Sequence, residues 1–429
     1  MANVNQSGTA PKPNYGLSIA IIGVFFFVFG FVTWLNGILI PYLRIACQLN
    51  DFQSYLVAFA FYISYFVMAI PSSWVLAKTG FKNGMIAGLL VMAMGTLLFI
   101  PAAYTRAYPL FLLGLFVLGT GLAILQTASN PYVTILGPID RAAQRISIMG
   151  ICNKAAGFIS PIILGAIVLK DSDGLVERLK TMSEVAKIQE LDILALRVVV
   201  PYLVMTAILI GLAALVRFAD LPEVDASEED SSGHAIVQRN SVLAYPNLVL
   251  GVITLFLYVG VEVMAGDTII NYGKSLNIPF SEARFFTSCT LFAMIVGYVL
   301  GIICIPKYIS QSKAMTYSAI VGIVLCIGIT QLSGYNSVLC VALLGLANAL
   351  MWPAIWPLAI DGLGKFTKIA SSLLVMAIAG GAVFPLLYGI LVPVLGSQQA
   401  YWIMLPCYAF ILYYATIGHL KKSWRLKGR

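Results

Sequence analysis

Two long apolar segments joined by a short charged turn stand in the first half of the chain: GLAILQTASNPYVTIL (121–136), GPIDRAAQR (137–145) and ISIMGICNKAAGFISPIILG (146–165). With its flanking residues, each apolar segment reaches the roughly 20 residues that a helix needs to cross a membrane. A polar group inside such a segment costs free energy unless a partner, a water or a ligand satisfies it. The stretch therefore predicts membrane-spanning helices that carry functional polar residues.

The apolar character extends over the whole chain of 429 residues, of which 60% are hydrophobic and only 10% charged. A soluble domain carries about 25% charged residues. The apolar runs do not alternate with polar residues, as the strands of a membrane barrel would. The sequence predicts an all-α integral membrane protein with twelve transmembrane helices. We place them at residues 17–42, 53–77, 84–103, 108–137, 146–169, 199–218, 243–271, 284–305, 313–332, 336–360, 369–394 and 398–420.

An acidic, serine-rich segment at residues 219–242 divides these spans six and six. We interpret residues 1–218 as an N-terminal half, 219–242 as a cytoplasmic linker and 243–429 as a C-terminal half. Residues 170–198 have the pattern of an amphipathic helix on the outer face. That segment is either a plain surface helix or a lid.

Lysine and arginine set the expected orientation. They concentrate in the short segments that face the cytoplasm when the N-terminus is placed inside. We therefore expect a multi-pass protein of a cell membrane, the inner membrane of a bacterium, with both termini in the cytoplasm. This bias also accounts for the net charge of +8 without a nucleic-acid partner.

Two glycine patterns recur with the same offset. The triplet GLA occurs at 121–123 and again at 345–347, and GFISPIILG (157–165) shares its Gly, Pro and Gly positions with GAVFPLLYG (381–389). A shared offset indicates two halves of common origin. Such a duplication is typical of transporters whose halves rock about a site near the middle of the membrane.

Amides and indoles within the spans are the candidate substrate ligands. Amides offer donors and acceptors to neighbouring hydroxyl groups, and an indole can pack on the apolar face of a sugar ring. The set is Trp34, Asn36, Gln126, Asn130, Asn153, Asn348 and Trp352, with Trp356 one turn beyond Trp352. The alternative for these side chains is interhelical hydrogen bonding and core packing. In span one, Gly37 and Pro41 also predict a pliable, polar break.

Ionisable residues inside a span indicate function by default. Span seven contains Glu262 and Asp267; Asp267 lies nearer the outer end, where contact with water is the alternative. Lys154 on span five either reaches the cytoplasmic interface or pairs with an acid. In the loop between spans two and three, Lys78 and Lys82 are candidates for a cytoplasmic gate. No cluster of nucleophile and base and no metal-ligand set falls in the spans, so we expect no enzyme activity and no cofactor.

Several motifs resemble a known family. QTASNPYVTILGP (126–138) and NKAAGFISPIILG (153–165) are similar to the fucose:proton symporter family of the major facilitator superfamily and its glucose/galactose transporter branch. WLNGILIPYL (34–43) and VGVEVMAGD (259–267) resemble the spans one and seven of that family. The resemblance implies a twelve-span fold that imports a monosaccharide with a coupling cation.

The same resemblance implies roles for three positions. Asn153 matches the sugar-binding asparagine of span five. Gln126 stands where fucose carriers have Glu, and Gly37 stands where the family usually has Asp. Both acids associated with proton coupling in the family are therefore neutral here.

We accordingly expect symport of a monosaccharide of the glucose, galactose, mannose or fucose class by a monomer in the bilayer. We expect sodium rather than a proton as the coupling cation, held by Glu262, Gln126 and Asp267. Sodium needs only oxygen ligands, whereas a proton needs a titratable group. Proton coupling, uncoupled uniport and export of small apolar compounds remain the alternatives.

Overall fold

The computed structural model describes residues 15–135, 142–170, 172–219, 241–305, 307–363, 366–421 and 423–424. Within these ranges every regular element is a helix. The α-helices are α1 Tyr15–Trp34, α2 Asn36–Ala46, α3 Asp51–Thr105, α4 Tyr108–Ile135, α5 Ala142–Val168, α6 Ser172–Thr181, α7 Glu184–Leu196, α8 Val199–Phe218, α9 Pro246–Asp267, α10 Ile269–Ser275, α11 Phe280–Ala283, α12 Phe286–Cys304, α13 Gln311–Gln331, α14 Gly334–Asn348, α15 Met351–Ile360, α16 Thr367–Met376, α17 Gly380–Leu395 and α18 Met404–Thr416.

These helices confirm the predicted twelve-span fold. Among the described residues, ten stretches are long and apolar enough to cross a membrane, and the longest of them, α3, contains two spans. At 1.5 Å per residue, the 55 residues of α3 would extend about 80 Å. The chain instead turns at Gly80, whose φ of 74° and ψ of 174° suit a residue without a side chain. The twelfth span is α18 with a 3₁₀ turn at each end.

Four of the described spans are each built from two helices, and span seven is one of them, since α9 ends at Asp267 and α10 begins at Ile269. Span one breaks at Leu35, between α1 and α2, as its glycine and proline predict. Span ten consists of α14 and α15, and span eleven of α16 and α17. We call the side of the molecule on which α1 begins the near face, and the opposite side, where α2 ends, the far face.

The predicted amphipathic segment forms two helices on the far face, α6 and α7. Leu175, Leu191 and Leu194 turn inward and are buried. The hydroxyl of Tyr42, at the far end of span one, donates to the carbonyl oxygens of Leu194 and Ala195 at 3.0 and 2.9 Å. The segment is thus fastened to the N-terminal half.

Of the two repeated glycine patterns, the Gly–Pro–Gly pattern has the same surroundings in both halves of the structure, and the GLA triplet does not. A methyl group on Gly157 would meet side chains of spans one and eight, and one on Gly381 would meet side chains of spans two and seven. These environments are equivalent, because span one of the first half corresponds to span seven of the second, and span two corresponds to span eight. The GLA triplets differ, since Gly121 faces span three whereas Gly345 faces span eight.

The halves contact each other along two seams. In the first, span five packs on span eight, and Ser288 Oγ donates to the carbonyl oxygen of Phe158 at 2.8 Å. In the second, span two packs on span eleven, and the hydroxyl oxygens of Ser73 and Ser372 lie 3.3 Å apart near the near face. The functional side chains lie between these seams.

Candidate functional site

A buried ion pair joins the two halves inside the membrane-spanning region. Lys154 Nζ on span five lies 2.8 Å from Glu262 Oε1 on span seven. The two side chains are only 10% and 9% exposed, so each charge depends on the other for compensation. Tyr258, one turn before Glu262, also interacts with its carboxylate. Of the two interpretations that the sequence left for Lys154, pairing with an acid is the one observed.

The indole of Trp34 fills the space beside this ion pair. Its exposed fraction is 1%, and Lys154 Nζ lies 4.7 Å from the ring centroid. Gly157 and Gly266 pack against the ring so closely that a methyl group on either would overlap it. The predicted stacking of Trp34 on a sugar is therefore not supported by this arrangement, because the ring is enclosed. Trp34 instead packs the contact between the halves.

Span four contributes the polar side chain of Gln126, which contacts a tyrosine of span two. Gln126 is half-buried and donates from Nε2 to the hydroxyl of Tyr65 at 3.3 Å. The rings of Tyr65 and Tyr62 are stacked 6.4 Å apart. Tyr62 in turn interacts electrostatically with Glu262. Gln126 is thereby connected to the ion pair, while the side chain of Asn130 lies outside the described residues.

Two stacked indoles form an aromatic wall on the C-terminal half. Trp352 and Trp356 have ring centroids 5.5 Å apart and planes inclined by 29°. Both are half-buried, and Trp352 lies 6.5 Å from Tyr258. The predicted alignment of the two tryptophans along one helix face is confirmed. Through Tyr258, this wall is placed next to Glu262.

The side chain of Asn348 contacts span twelve rather than the two tryptophans. Its Oδ1 accepts a hydrogen bond from Tyr408 of span twelve at 2.8 Å, while its Nδ2 has no partner among the described residues. Helix α14 ends at Asn348 and α15 begins only at Met351. This break separates Asn348 from the helix that carries the two tryptophans. Its part in sugar binding stays a prediction.

Asn153 precedes Lys154 on span five and is half-buried. Its amide makes no hydrogen bond to the residues that the structure describes. The backbone at Asn153 is close to Gly30 of span one, so that the two helices touch there. The amide is thus available to a ligand, and its sugar-binding role stays a prediction.

Three buried polar groups without partners lie near the far end of span seven. Asp267 is fully buried, and neither of its carboxylate oxygens has a hydrogen-bond partner among the described residues. The alternative that Asp267 is simply exposed to water is therefore wrong. Asn36 of span one and the hydroxyl of Tyr62 of span two are likewise buried, and neither has a hydrogen bond of normal length and angle within the described part of the chain. Tyr62 nevertheless interacts with both, which places the three groups together.

A cavity of about 630 Å³ lies between the halves on the far face. Spans one, two, seven and eleven line it, together with α6 and α7. Tyr55 and Asn271 belong to its lining, and Asn271 Nδ2 donates to the hydroxyl of Tyr55 at 3.4 Å, from one half to the other. Lys180 and Lys187 also line it, so the predicted outer segment forms part of a cavity wall.

The proposed gate lysines do not reach the facing half in this structure. Lys82 Nζ donates to the carbonyl oxygen of Ala219, at the end of span six, at 2.7 Å. Spans two, three and six all belong to the N-terminal half. Lys78 is exposed. The observed bond of Lys82 fastens the loop to its own half, and a role of the two lysines in a cytoplasmic gate stays a prediction.

The sequence interpretation missed several members of this site. Lys154 was noted but not included among the functional candidates, although a cation inside a span is a signal in itself. Tyr62, Tyr65 and Tyr258 gave no signal, because a tyrosine in an apolar helix is indistinguishable from core packing. Only the contacts between spans reveal them.

Comparisons with known proteins identify the family. Residues 22–381 match the model of the Major Facilitator Superfamily. The chain is 35% identical to the glucose/galactose transporter of Brucella abortus, over 97% of both chains. It is 29% identical to the L-fucose-proton symporter of Escherichia coli, over 89% of this chain and 87% of that protein.

Solved structures give the same result. The fucose symporter crystallised in the outward conformation has a TM-score of 0.70 and 28% identity, and the match covers 94% of this chain and 98% of that one. The D-xylose-proton symporter, with a TM-score of 0.67 and 15% identity over 96% and 98%, shares the fold. The relatives are transporters and not enzymes. This chain is a sugar transporter of the major facilitator superfamily, and it belongs to the fucose:proton symporter family in its glucose/galactose transporter branch.

Proposed function

We propose that this protein imports a hexose of the glucose or galactose class together with a proton. The similarity to the Brucella abortus glucose/galactose transporter over nearly the whole length of both chains supports the hexose. The observation that carries the proposal is the polar and aromatic set around Lys154 and Glu262, to which both halves contribute. A substrate held there contacts both halves and can therefore couple its binding to their relative movement.

The sugar would lie between the aromatic wall and the amides. Trp352 and Trp356 offer a half-buried face for the C–H groups of the ring. Asn153 and the free oxygen of Gln126 offer acceptors and donors for the hydroxyl groups. The Lys154–Glu262 pair adds charged groups that hydrogen-bond more strongly than neutral ones.

We propose a proton in place of the sodium that the sequence favoured. The sodium site predicted from the sequence uses oxygens of Glu262, Gln126 and Asp267. Glu262 is paired with Lys154 and Gln126 is turned toward Tyr65, which leaves Asp267 as the one member of that set without a partner among the described residues. A lysine ammonium and a sodium ion would compete for the same carboxylate. The E. coli and Haemophilus influenzae relatives are named L-fucose-proton symporters, which supports the alternative.

The direction of transport follows from the orientation. We infer that the near face is cytoplasmic, because the basic residues of the sequence concentrate in the segments on that side. The cavity on the far face then opens to the outside. A bacterial inner membrane, with a proton gradient directed inward, is the setting in which such a protein accumulates sugar.

Purified protein in liposomes tests the proposal. Vesicles would be given either an inward proton gradient without sodium, or an inward sodium gradient at equal pH on both sides. We expect labelled glucose or galactose to accumulate only under the proton gradient. One proton per sugar supports about tenfold accumulation for each unit of pH difference. Accumulation that follows sodium and ignores pH would contradict proton coupling, and failure of both hexoses to exchange would contradict the substrate.

A further inference from the structure

Asp267 differs from the other acid of span seven in having no counter-charge. Glu262 is paired with Lys154, so that the pair as a whole is neutral. Asp267 is fully buried, and no described residue forms an ion pair or a hydrogen bond with its carboxylate. An ionised carboxylate is costly in such a place, whereas a protonated one is tolerated. The side chain therefore needs either a proton or a change in its surroundings.

The N-terminal half contributes neighbours to Asp267, although Asp267 belongs to the C-terminal half. Asn36 and Tyr62 are polar neighbours from spans one and two; they interact with each other, and neither forms a hydrogen bond with the carboxylate. The adjacent Gly266 packs on Trp34, and its carbonyl oxygen accepts from Thr287 Oγ1 of span eight at 2.7 Å. A relative movement of the halves would therefore change the environment of this carboxylate more than that of a residue buried within one half.

The far-face cavity provides a route for a proton. Asn271 follows Asp267 by four residues, which places it about one helical turn nearer the far face. Asn271 lines the cavity and bonds to Tyr55, and Tyr55 interacts electrostatically with Asp267. The Tyr55–Asn271 contact thus separates the carboxylate from the cavity, and it joins residues of opposite halves.

The uncharged polar groups near Asp267 do not exchange protons near neutral pH, so Asp267 is the candidate for proton exchange. Span two contributes Tyr55 and Tyr62, and Tyr388 of span eleven packs against Tyr55. The hydroxyl groups of these tyrosines keep their protons at neutral pH. Span eight contributes Thr287, which does not titrate. The charges beyond Tyr55 are Arg44 and Asp51, which form an ion pair of 2.6 Å with each other. Three lysines also line the cavity there, namely Lys180, Lys187 and Lys274.

We propose that Asp267 carries the coupling proton, an inference that rests on the proton symport proposed above. When the Tyr55–Asn271 contact is open, the carboxylate takes a proton from hydronium in the far-face cavity and leaves water behind. The neutral acid is then enclosed by Asn36 and Tyr62, as in this structure. When the halves rearrange, the proton passes to water on the near face. One carboxyl group gives one proton per sugar.

The variant Asp267→Asn tests this assignment, because an amide imitates the protonated acid in shape and cannot release a proton. In liposomes we expect it to exchange labelled hexose across the membrane while no longer accumulating hexose under a proton gradient. A pH-sensitive dye should report proton uptake on addition of sugar with the unchanged protein and none with the variant. Asp192→Asn, an exposed acid of α7 paired with Arg106, is the matched control and should keep both properties.

The outcomes separate this inference from the proposed function. If the unchanged protein couples to protons and Asp267→Asn still accumulates hexose, the assignment of Asp267 is wrong while proton symport stands. If the unchanged protein ignores the pH gradient, proton symport itself is wrong. Should Asp267→Asn not fold, sugar affinity against pH would be measured on Asp267→Glu in detergent. A midpoint shifted from that of the unchanged protein supports the proposal, and an identical midpoint overturns it.

Discussion

Lys154 and Glu262 carry opposite charges within the membrane-spanning region and belong to opposite halves of the protein. Removal of one partner leaves the other charge buried and uncompensated. We therefore expect Glu262→Gln or Lys154→Met alone to lower the free energy of unfolding by about 3–5 kcal/mol. The double variant removes both charges and should recover most of that loss. Thermal unfolding in detergent, followed by tryptophan fluorescence, measures the differences.

An exposed pair of similar geometry is available as the control. Lys180 and Glu177 lie 2.7 Å apart on α6, with side chains 64% and 72% exposed. Surface pairs contribute little, so the corresponding changes there should hardly shift the unfolding temperature. A double variant of the buried pair that is as unstable as either single variant would show that the two charges do not compensate each other.

Trp352 is half-buried and stacks on Trp356, and its contact with the sugar stays a prediction. If its indole packs on the sugar, Trp352→Ala should raise the KM for hexose. An aromatic contact of about 0.5–1.5 kcal/mol corresponds to a rise of roughly two- to tenfold. Uptake measured over a range of sugar concentrations tests this. Trp74→Ala, which alters an indole that is 64% exposed on span two, should leave KM unchanged. Equal effects of the two changes would argue against stacking.

At the scale of helices, the sequence predicts the spans well because length and hydropathy alone define a crossing. The break in span one could also be predicted from its glycine and proline. The break in span ten was missed although a signal exists: Pro353 cannot donate to the carbonyl of residue 349, and the helix is interrupted at Ala349 and Leu350. The partner of Lys154 could not be predicted, because Glu262 is 108 residues away and no local pattern relates the two.

Helix contacts at glycine give a prediction at the same scale. A methyl group on Gly30 would overlap the backbone carbonyl of Asn153, where spans one and five touch. Backbone cannot move aside as a flexible side chain does, so Gly30→Ala should destabilise the protein by about 1–3 kcal/mol. Gly211→Ala is the control, since nothing lies within 4 Å of the added methyl group. Unfolding temperatures that match for the two variants would show that spans one and five are not packed as described.

For the whole molecule, the important feature is that the halves touch at three depths. Tyr55 and Asn271 meet beside the far-face cavity, Lys154 and Glu262 meet deeper in the membrane-spanning region, and Ser73 and Ser372 meet near the near face. Alternating access requires the first and the last of these contacts to open in turn. Contacts within one half need not change. A cross-link between the halves can therefore be compared with a cross-link inside one half.

A cross-link between the halves should stop transport. The hydroxyl oxygens of Ser73 and Ser372 lie 3.3 Å apart, so cysteines at both positions should form a disulfide on oxidation. We expect hexose uptake to fall on oxidation and to return on reduction, because the near face can no longer open. Thr96 and Thr206, 2.7 Å apart on spans three and six of the N-terminal half, provide the matched pair. Cysteines there should cross-link without loss of uptake. Full uptake by the cross-linked Ser73–Ser372 pair would mean that these spans do not separate during transport.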